Sequence, residues 1–592
     1  MAKFPSIQSV LITTQKTISR FPLETIITLF GTVFAILLSE LKYTSDNDDL
    51  RELYTKAIMS CSLCLVLFLS VSLYFESKVK NIWIRFLTCL VLGGLVTAFV
   101  FSFSEKITEV EIMQFLALNI ALHLLVSFAG FLPKTYQQEE FWEFNKQLFI
   151  RILTSGLYSG VLYVGLALAI SAVTNLFNVT FYDMIYAHLF FTIAGVFNTI
   201  FFLSGVPETN NEEIPLTLNY PKGLKSFTQY VLLPLISLYL VILICYETKI
   251  LATLSLPVGW VSYLVLVFAI FGILSFLLVH PIANQVGNLW MRTFNRWFYY
   301  LLIPLLGLLF WAILYRIHLY GFTHERYYVL SLSIWLTLVV AYFLIQKQPK
   351  IKFIPISMSL TALLTIIGPQ SADAVSKKSQ LSRFETYLQK PQKEKLTFEQ
   401  EQDLSSIVDF LEKNYGAKIL LPYTNDKLKT LLKKDKDPNS PQIMEALGYE
   451  YRSSYETKND TDFNYNFYEN DQSSIENIHG FDLSFSISKN NNLEGNEIIK
   501  IDDKTYSIKS LEKEYGLDLQ INQDIIPLRI VDFVNKNSVF GRNDNTNEKV
   551  TQKIETSKYT VFITYLNVSG KKEGAKKTID LYQIKVLVDI KK

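Results

Sequence analysis

"FIPISMSLTALLTIIG", residues 353–368, is the last long apolar run in the chain, and the reading of the whole molecule turns on it. Before it, apolar runs recur through a stretch that holds all seven Trp and all four Cys (Cys61, Cys64, Cys89 and Cys245). After it the composition is that of a soluble domain, rich in Lys, Glu, Asp, Asn and Ser. Such a division marks a membrane part joined to a soluble part. The run is short for a bilayer span, which takes about 20 apolar residues. It also carries Pro355. Whether it crosses decides on which side of the membrane everything after it lies.

Working back from this run, ten longer ones precede it, at roughly 24–40, 57–75, 83–103, 112–132, 152–176, 184–206, 228–246, 259–279, 298–315 and 328–345. Each is expected to be helical, because backbone amides must be bonded internally where water is absent. With 353–368 the count is eleven. The expected fold is therefore a polytopic α-helical membrane domain over 1–370, followed by a soluble α+β domain over 371–592. The first run, starting near residue 23, has no small-residue cleavage site behind it and reads as a retained span.

Lys and Arg in short loops set orientation. With the N-terminus in the cytoplasm, the inner segments carry sixteen Lys and Arg, from Lys3 to Lys352, and the outer loops seven, from Lys42 to Arg326. Eleven spans then place 371–592 outside the cytoplasm. If 353–368 does not cross, that domain moves inside. Charge excludes one function class: the part up to 370 has 23 Lys and Arg against 19 Asp and Glu, the part beyond it 33 against 35. Neither has the basic excess of a nucleic-acid binder.

Two inner segments are more than turns. "EEFWEFNKQLF" (139–149) and "IANQVGNLWMRTFNRWFYY" (282–300) are amphipathic and Trp-bearing. They suit helices lying in the interface, or extensions of the spans that follow them.

Ionisable groups near mid-span are scarce. His123, with Asn119 one turn before it on the same face, and Asn198 in the sixth span are the best candidates for a path through the membrane. The alternative is hydrogen bonding to a neighbouring helix. Cys61 and Cys64 form a C-x-x-C inside an apolar span, where Cys acts as a small apolar residue. Gly156 and Gly160 form a G-x-x-x-G, a packing feature.

The outer loop "LYRIHLYGFTHERYYVL" (314–330) gathers His318, His324, Glu325 and Arg326. One reading is a metal or proton site. The other is a tight helical hairpin, with Gly321 ending one span and Thr323 capping the next. The helix termini then favour Arg316, His318 and Glu325 where they stand. Only Arg326, a cation in a first turn, has no local reason, and a carboxylate or lipid headgroup is expected opposite it.

Beyond the membrane part, 371–450 reads as helical. Thr397 and Gln400 have the spacing of a capping box, and Leu404, Ile407, Val408 and Leu411 form one stripe. Residues 476–592 read as mainly β, in "FDLSFSISK", "EIIKIDDKTYSIK", "KYTVFITYLNV" and "DLYQIKVLVDI", the last two as a hairpin. The domain contains one His and no nucleophile elbow, P-loop or zinc-protease motif. No catalytic, cofactor-binding or metal-ligating residue is assigned.

Several segments, "YVLLPLISLYLVIL", "LPVGWVSYLVLVFAIFGILSFLLVHPI", "YGFTHERYYVL", "FIPISMSLTALL", "SKKSQLSRFETYL" and "LTFEQEQDLSSIVDFLEKNYG", resemble a bacterial family of multi-pass membrane proteins, domain of unknown function four-one-five-three. The resemblance covers most of 225–450. It implies a bacterial inner membrane with a periplasm beyond it, and it brings no functional residues. The reading that follows is a non-enzymatic envelope protein. Its partners are the bilayer and, through the extracytoplasmic domain, a protein or envelope component. One alternative is a small-solute transporter or channel. Another is a membrane-embedded enzyme acting on a lipid-linked substrate through the loop of His318, His324, Glu325 and Arg326.

Overall fold

Every apolar run becomes a helix in a computed structural model, which describes residues 7–41, 47–78, 81–132, 136–208, 218–253, 260–283, 288–389, 396–423, 426–434, 438–454, 462–467, 478–489, 497–537, 543–546, 550–573 and 576–591. The chain forms two compact units, Met1–Pro391 with Ile407–Asn439, and Gln392–Ser406 with Ser440–Lys592.

The first unit opens with α1 (Ile7–Arg20), α2 (Pro22–Glu40), α3 (Asp48–Lys78), α4 (Ile82–Phe101), α5 (Glu109–Ala129) and α6 (Gln138–Phe177). The sixth apolar run is α7 (Ile185–Phe191) and α8 (Asn198–Leu203) joined through a π-helical stretch, Thr192–Phe197. The seventh is α9 (Lys222–Phe227) and α10 (Leu233–Thr253) with a second π stretch, Thr228–Leu232, between them. Then come α11 (Trp260–Val279), α12 (Leu289–Tyr320), α13 (His324–Ile345), α14 (Phe353–Ile366) and α15 (Ala372–Leu388). Ten of the described helical segments are long and apolar enough to cross a bilayer. The short run, α14, has 14 residues, which rise about 21 Å. Pro355 falls in its first turn, where no intrahelical N–H bond is lost.

Both amphipathic inner segments prove to be extensions of the next span. Residues 139–149 belong to the 40-residue α6 and residues 289–297 to the 32-residue α12. At about 60 Å, α6 is twice the thickness of a bilayer core. Its first turns are anchored in the unit: Phe141, Trp142 and Phe144 are buried and Phe131 packs edge-on to Phe141 and Phe144. A continuous apolar cluster runs on through α11, α12 and α13.

The remaining helices are α16 (Phe398–Tyr415), α17 (Asp426–Lys434), α18 (Ser440–Leu447) and α19 (Ile530–Asn537). The capping box forms: Thr397 N–H donates to Gln400 at 3.1 Å, and Gln400 N–H donates to Thr397 Oγ1 at 3.3 Å. All four stripe residues, Leu404, Ile407, Val408 and Leu411, are buried.

The second unit holds two sheets. One is built from β1 (Asp462–Phe467), β2 (Leu483–Ser488), β7 (Asn543–Thr546), β8 (Thr551–Glu555), β9 (Tyr559–Glu573) and β10 (Lys576–Ile590), in the order β2-β10-β9-β1-β7 with β8 also on β9. The other is the meander β3 (Glu497–Ile501), β4 (Lys504–Lys513), β5 (Gly516–Ile521) and β6 (Asp524–Arg529). The expected hairpin is β9–β10. "EIIKIDDKTYSIK" is two strands rather than one, because Asp502 and Asp503 both take positive φ (46° and 60°) and turn the chain. One apolar core, with Leu519, Ile526, Val561 and Val586 fully or nearly fully buried, joins the inner faces of both sheets.

Candidate functional site

The outer loop does fold as a helical corner. Gly321 ends α12 with φ of 68°, and Thr323 precedes α13 in an extended conformation, without a side-chain cap. His318 and Glu325 are exposed, whereas His324 is only 5 % exposed. Two elements pack against it, α15 and α16. Asp373 stands in the first turn of α15, where the helix dipole favours an anion, and Ser371 caps that helix by accepting from Ala374 N–H at 3.3 Å. Tyr415 ends α16 just before Gly416, whose φ is 71°. Tyr415 Oη donates to Asp373 Oδ1 at 2.8 Å, and His324 Nε2 lies 3.2 Å from Tyr415 Oη and 3.8 Å from Asp373 Oδ1. Phe410 stacks on the His324 ring at 5.1 Å, and Lys377 lies 4.9 Å over the Tyr415 ring.

Electrostatics follow from these contacts. Hydrogen bonding by His324, then by Tyr415, holds the Asp373 carboxyl below its ordinary range against the opposing effect of burial. Burial, then the Asp373 carboxylate, pushes the Tyr415 phenol up. The three groups lock each other in place and tie α13, α15 and α16 together. His318 and Glu325 do not join them, and no group of three His, Cys, Asp or Glu among the described residues is placed to hold a metal ion. Asp373 and Tyr415, 49 and 91 residues from His324, carry no motif, so sequence reading had no signal for them.

Arg326 has a local reason after all. It reaches back across the turn and donates to the carbonyls of Tyr320 and Gly321 at 3.1 and 3.0 Å, closing the end of α12.

A second polar site went unread in the sequence. Glu24 on α2 is fully buried, accepts a hydrogen bond from Ser72 on α3, and lies 3.5 Å from Arg85 on α4. Arg85 also donates to Arg20 O at 2.9 Å. Arg20 in turn forms a bidentate pair with Glu76, both bonds at 2.8 Å, and donates to the carbonyls of Val206 and Pro207. Each residue lies within a few positions of a span end, where charge is ordinary, and only the fold gathers them. The signal that was present is Glu24 itself, an acid inside an apolar run. In the same unit, Glu143 pairs with Lys146 at 2.6 Å and accepts from Asn219 N–H at 3.0 Å.

The mid-span polar residues do not converge in the same way. His123 Nδ1 bonds the Asn119 carbonyl at 2.9 Å on its own helix, and its ring is exposed. Asn198 accepts from Ser159 Oγ of α6 at 3.2 Å. Cys61 and Cys64 pack where glycines let the neighbouring helices approach. A Cβ on Gly31 would come within 3.1 Å of Cys61, and one on Gly93 within 2.8 Å of Phe68. Around Gly156 and Gly160, by contrast, a Cβ would meet nothing within 4 Å among the described residues.

Comparison with known proteins fits this architecture. The chain is 26% identical over 236 residues to "Uncharacterized protein PM1469" of Pasteurella multocida (strain Pm70), a match that spans 39% of each chain. No solved structure matches. The family model described as Domain of unknown function (DUF4153) matches residues 63–405, from the second apolar helix into α16. With more than half of its length under that model, this multi-pass membrane protein belongs to the DUF4153 family.

Proposed function

We propose that this protein is a non-enzymatic component of the bacterial inner membrane whose sheet-bearing C-terminal domain lies outside the cytoplasm and docks an envelope protein. The observation that carries the docking is the outer face and edge of the β3–β6 meander. β3 is an end strand, and Ile498 on it is 70 % exposed. On the same face, by register, lie Ser507, Lys509, Leu511, Gln520, Ile525 and Pro527. An apolar side chain on an edge that is unpaired among the described residues invites an added strand. The partner is therefore an extended segment of another polypeptide.

The path of the chain around α14 supports the sidedness. Before α14, Lys350 N–H donates to Tyr342 Oη at 3.0 Å, near the last turn of α13, and Lys352 donates to Phe131 O at 2.7 Å. After α14, Tyr327 at the first turn of α13 donates to Gln370 O. Residues 352–370 thus run from one end of α13 to the other, a rise of about 33 Å for 22 helical residues. Short as α14 is, its flanks give it the reach that a crossing needs.

The test uses the full chain in cells, with a photo-crosslinking amino acid at Lys500 beside Ile498. A discrete crosslinked partner that disappears with Ile498→Lys supports the reading. No crosslink, or one indifferent to Ile498→Lys, rejects it.

A second reading, a small-solute or ion transporter, is favoured by Glu24, a fully buried acid in an apolar helix. Intramembrane acids commonly mark ion paths. The neighbouring π-helical stretch packs its Gly195 against Thr32 of the same helix, and such stretches recur at functional sites. Flux through reconstituted protein that is abolished by Glu24→Gln would support it; flux that survives the substitution would remove it.

A further inference from the structure

The helix α2 turns its polar side inward. Its buried residues are Glu24, Thr25, Thr28 and Thr32, while Ile26, Leu29, Phe30, Val33 and Leu37 are exposed. A span whose apolar side meets lipid and whose acid faces the bundle follows from the cost of polar groups in hydrocarbon. Each buried hydroxyl and acid then needs a partner. Thr25 and Thr32 donate to the carbonyls one turn back, Phe21 O and Thr28 O, both at 2.9 Å. Thr28 Oγ1 has no hydrogen-bond partner among the described residues, and neither has Glu24 Oε2, one turn before it. The bond from Ser72 goes to the other oxygen, Glu24 Oε1. Arg85 stands 3.5 Å from that same Oε1 and spends a bond on Arg20 O.

The same face continues toward the other end of the helix. Thr32 follows Thr28 by one turn, and a Cβ on Gly195 of the π-helical stretch Thr192–Phe197 would collide with the Thr32 hydroxyl. Glycine there lets the stretch lie directly against the threonine. The helix ends on Glu40, whose Oε1 lies 2.6 Å from His188 Nε2 of α7 and whose Oε2 accepts from Tyr182. Glu24 and Glu40 are sixteen residues apart, a rise of about 24 Å, against about 30 Å for a hydrocarbon core. An acid stands at each end of one helix, with hydroxyls on the face between them.

Around the Glu24 end stand Glu76 of α3, Arg85 and Cys89 of α4, and Arg20 of α1. Between the ends, Cys61 of α3 lies beside Gly31. Around the Glu40 end stand His188, Tyr182 with the adjacent Asp183, and Arg51 of α3, which donates to Leu41 O at 3.2 Å. With Glu24 ionised, two acids face two arginines at the inner end, and a proton on Oε2 adds one positive charge.

We propose that Glu24 is a reversible proton-binding site, reached along the hydroxyl face of α2 from the Glu40–His188 pair. The carboxylate Oε2 takes the proton, Thr28 Oγ1 accepts the O–H bond so formed, and the carboxyl becomes neutral. Glu40 and His188, at the exposed end, exchange that proton with solvent. The assignment rests on the ion-transport reading and names the ion as a proton.

Infrared difference spectroscopy of the full chain in liposomes, between about pH 4 and about pH 9, tests it. The wild type is expected to show the carbonyl stretch of a protonated carboxyl shielded from water, and Glu24→Gln to lack it. In heavy water that band shifts as the proton exchanges, and Thr28→Val is expected to slow the exchange about tenfold. Thr28→Val removes no side-chain hydrogen bond among the described residues, so it spares the fold. A Glu24-dependent band absent across the range overturns the proposal. So does exchange unchanged in Thr28→Val, since the proton would then arrive from the Arg85 side. Proton flux into the same liposomes separates the two readings. A Glu24 band without flux supports the proton site and removes transport; flux without the band does the reverse.

Discussion

Two charge clusters of the helical unit answer the same problem differently. Around Glu24, guanidiniums meet carboxylates: Arg85 lies by Glu24 and Arg20 by Glu76. At the α12–α13 corner, guanidiniums meet a carbonyl that they share. The first arrangement is closed, because its charges cancel within the chain. The second turns its charge onto the backbone and closes the end of α12. Cancelled charge holds helices together; charge set on carbonyls closes a helix end.

The sharpest way to break this contrast is Arg85→Ala. It leaves Glu24 buried without its cation, and removing one partner of a buried pair costs about 3–5 kcal/mol. Thermal unfolding in a defined detergent should show the largest loss of any single substitution named here. A variant as stable as the parent would mean that Glu24 is held neutral and that the cluster is not an ion pair.

Arg326→Gln should cost less, about 1–2 kcal/mol, since it removes charge-assisted bonds to two carbonyls at a helix end and leaves Arg383 on one of them. A loss as large as that of Arg85→Ala would erase the distinction between the clusters.

Tyr415→Phe should cost about 1.5 kcal/mol, the low end for one hydrogen bond to a carboxylate. The pH dependence of stability reads the same contact. The Asp373 carboxyl is held below its ordinary value of 3.8. Its contribution is therefore present above about pH 4 and is lost as pH falls through the lowered folded value. Asp373→Asn should flatten stability in that acid range, and an unchanged slope would count against the His324–Asp373–Tyr415 lock.

His123→Ala should have the smallest effect, below about 0.5 kcal/mol, as expected of an exposed side chain bonded only to its own helix. A large effect would point to a partner helix against that face.

What was legible in the sequence follows from the same physics. Spans were readable because each helix in lipid must satisfy its backbone alone, so composition over one window suffices. The soluble helices were readable at Thr397–Gln400 and along the stripe ending at Leu411, where signals are local. β5 and β6 were missed. Leu517, Asp518 and Leu519 of β5 are all buried, so alternation disappears, and Pro527 interrupts β6. The corner was half legible. Gly321 and Thr323 mark the turn, but His324 finds its partners at 373 and 415 and Arg326 shares its carbonyl with Arg383, pairings of distant positions that no window contains. The Glu24 cluster was hidden because interfacial charge and buried charge look alike near a span end.

The direct test of the architecture brackets α14. In a chain lacking Cys61, Cys64, Cys89 and Cys245, single cysteines at Lys347 and at Lys504 are probed in intact cells with a membrane-impermeant thiol reagent. The crossing predicts that Lys504→Cys is labelled without permeabilisation and that Lys347→Cys is labelled only after it. If both positions behave alike, α14 does not cross, and the C-terminal domain lies on the same side of the membrane as the α13–α14 turn.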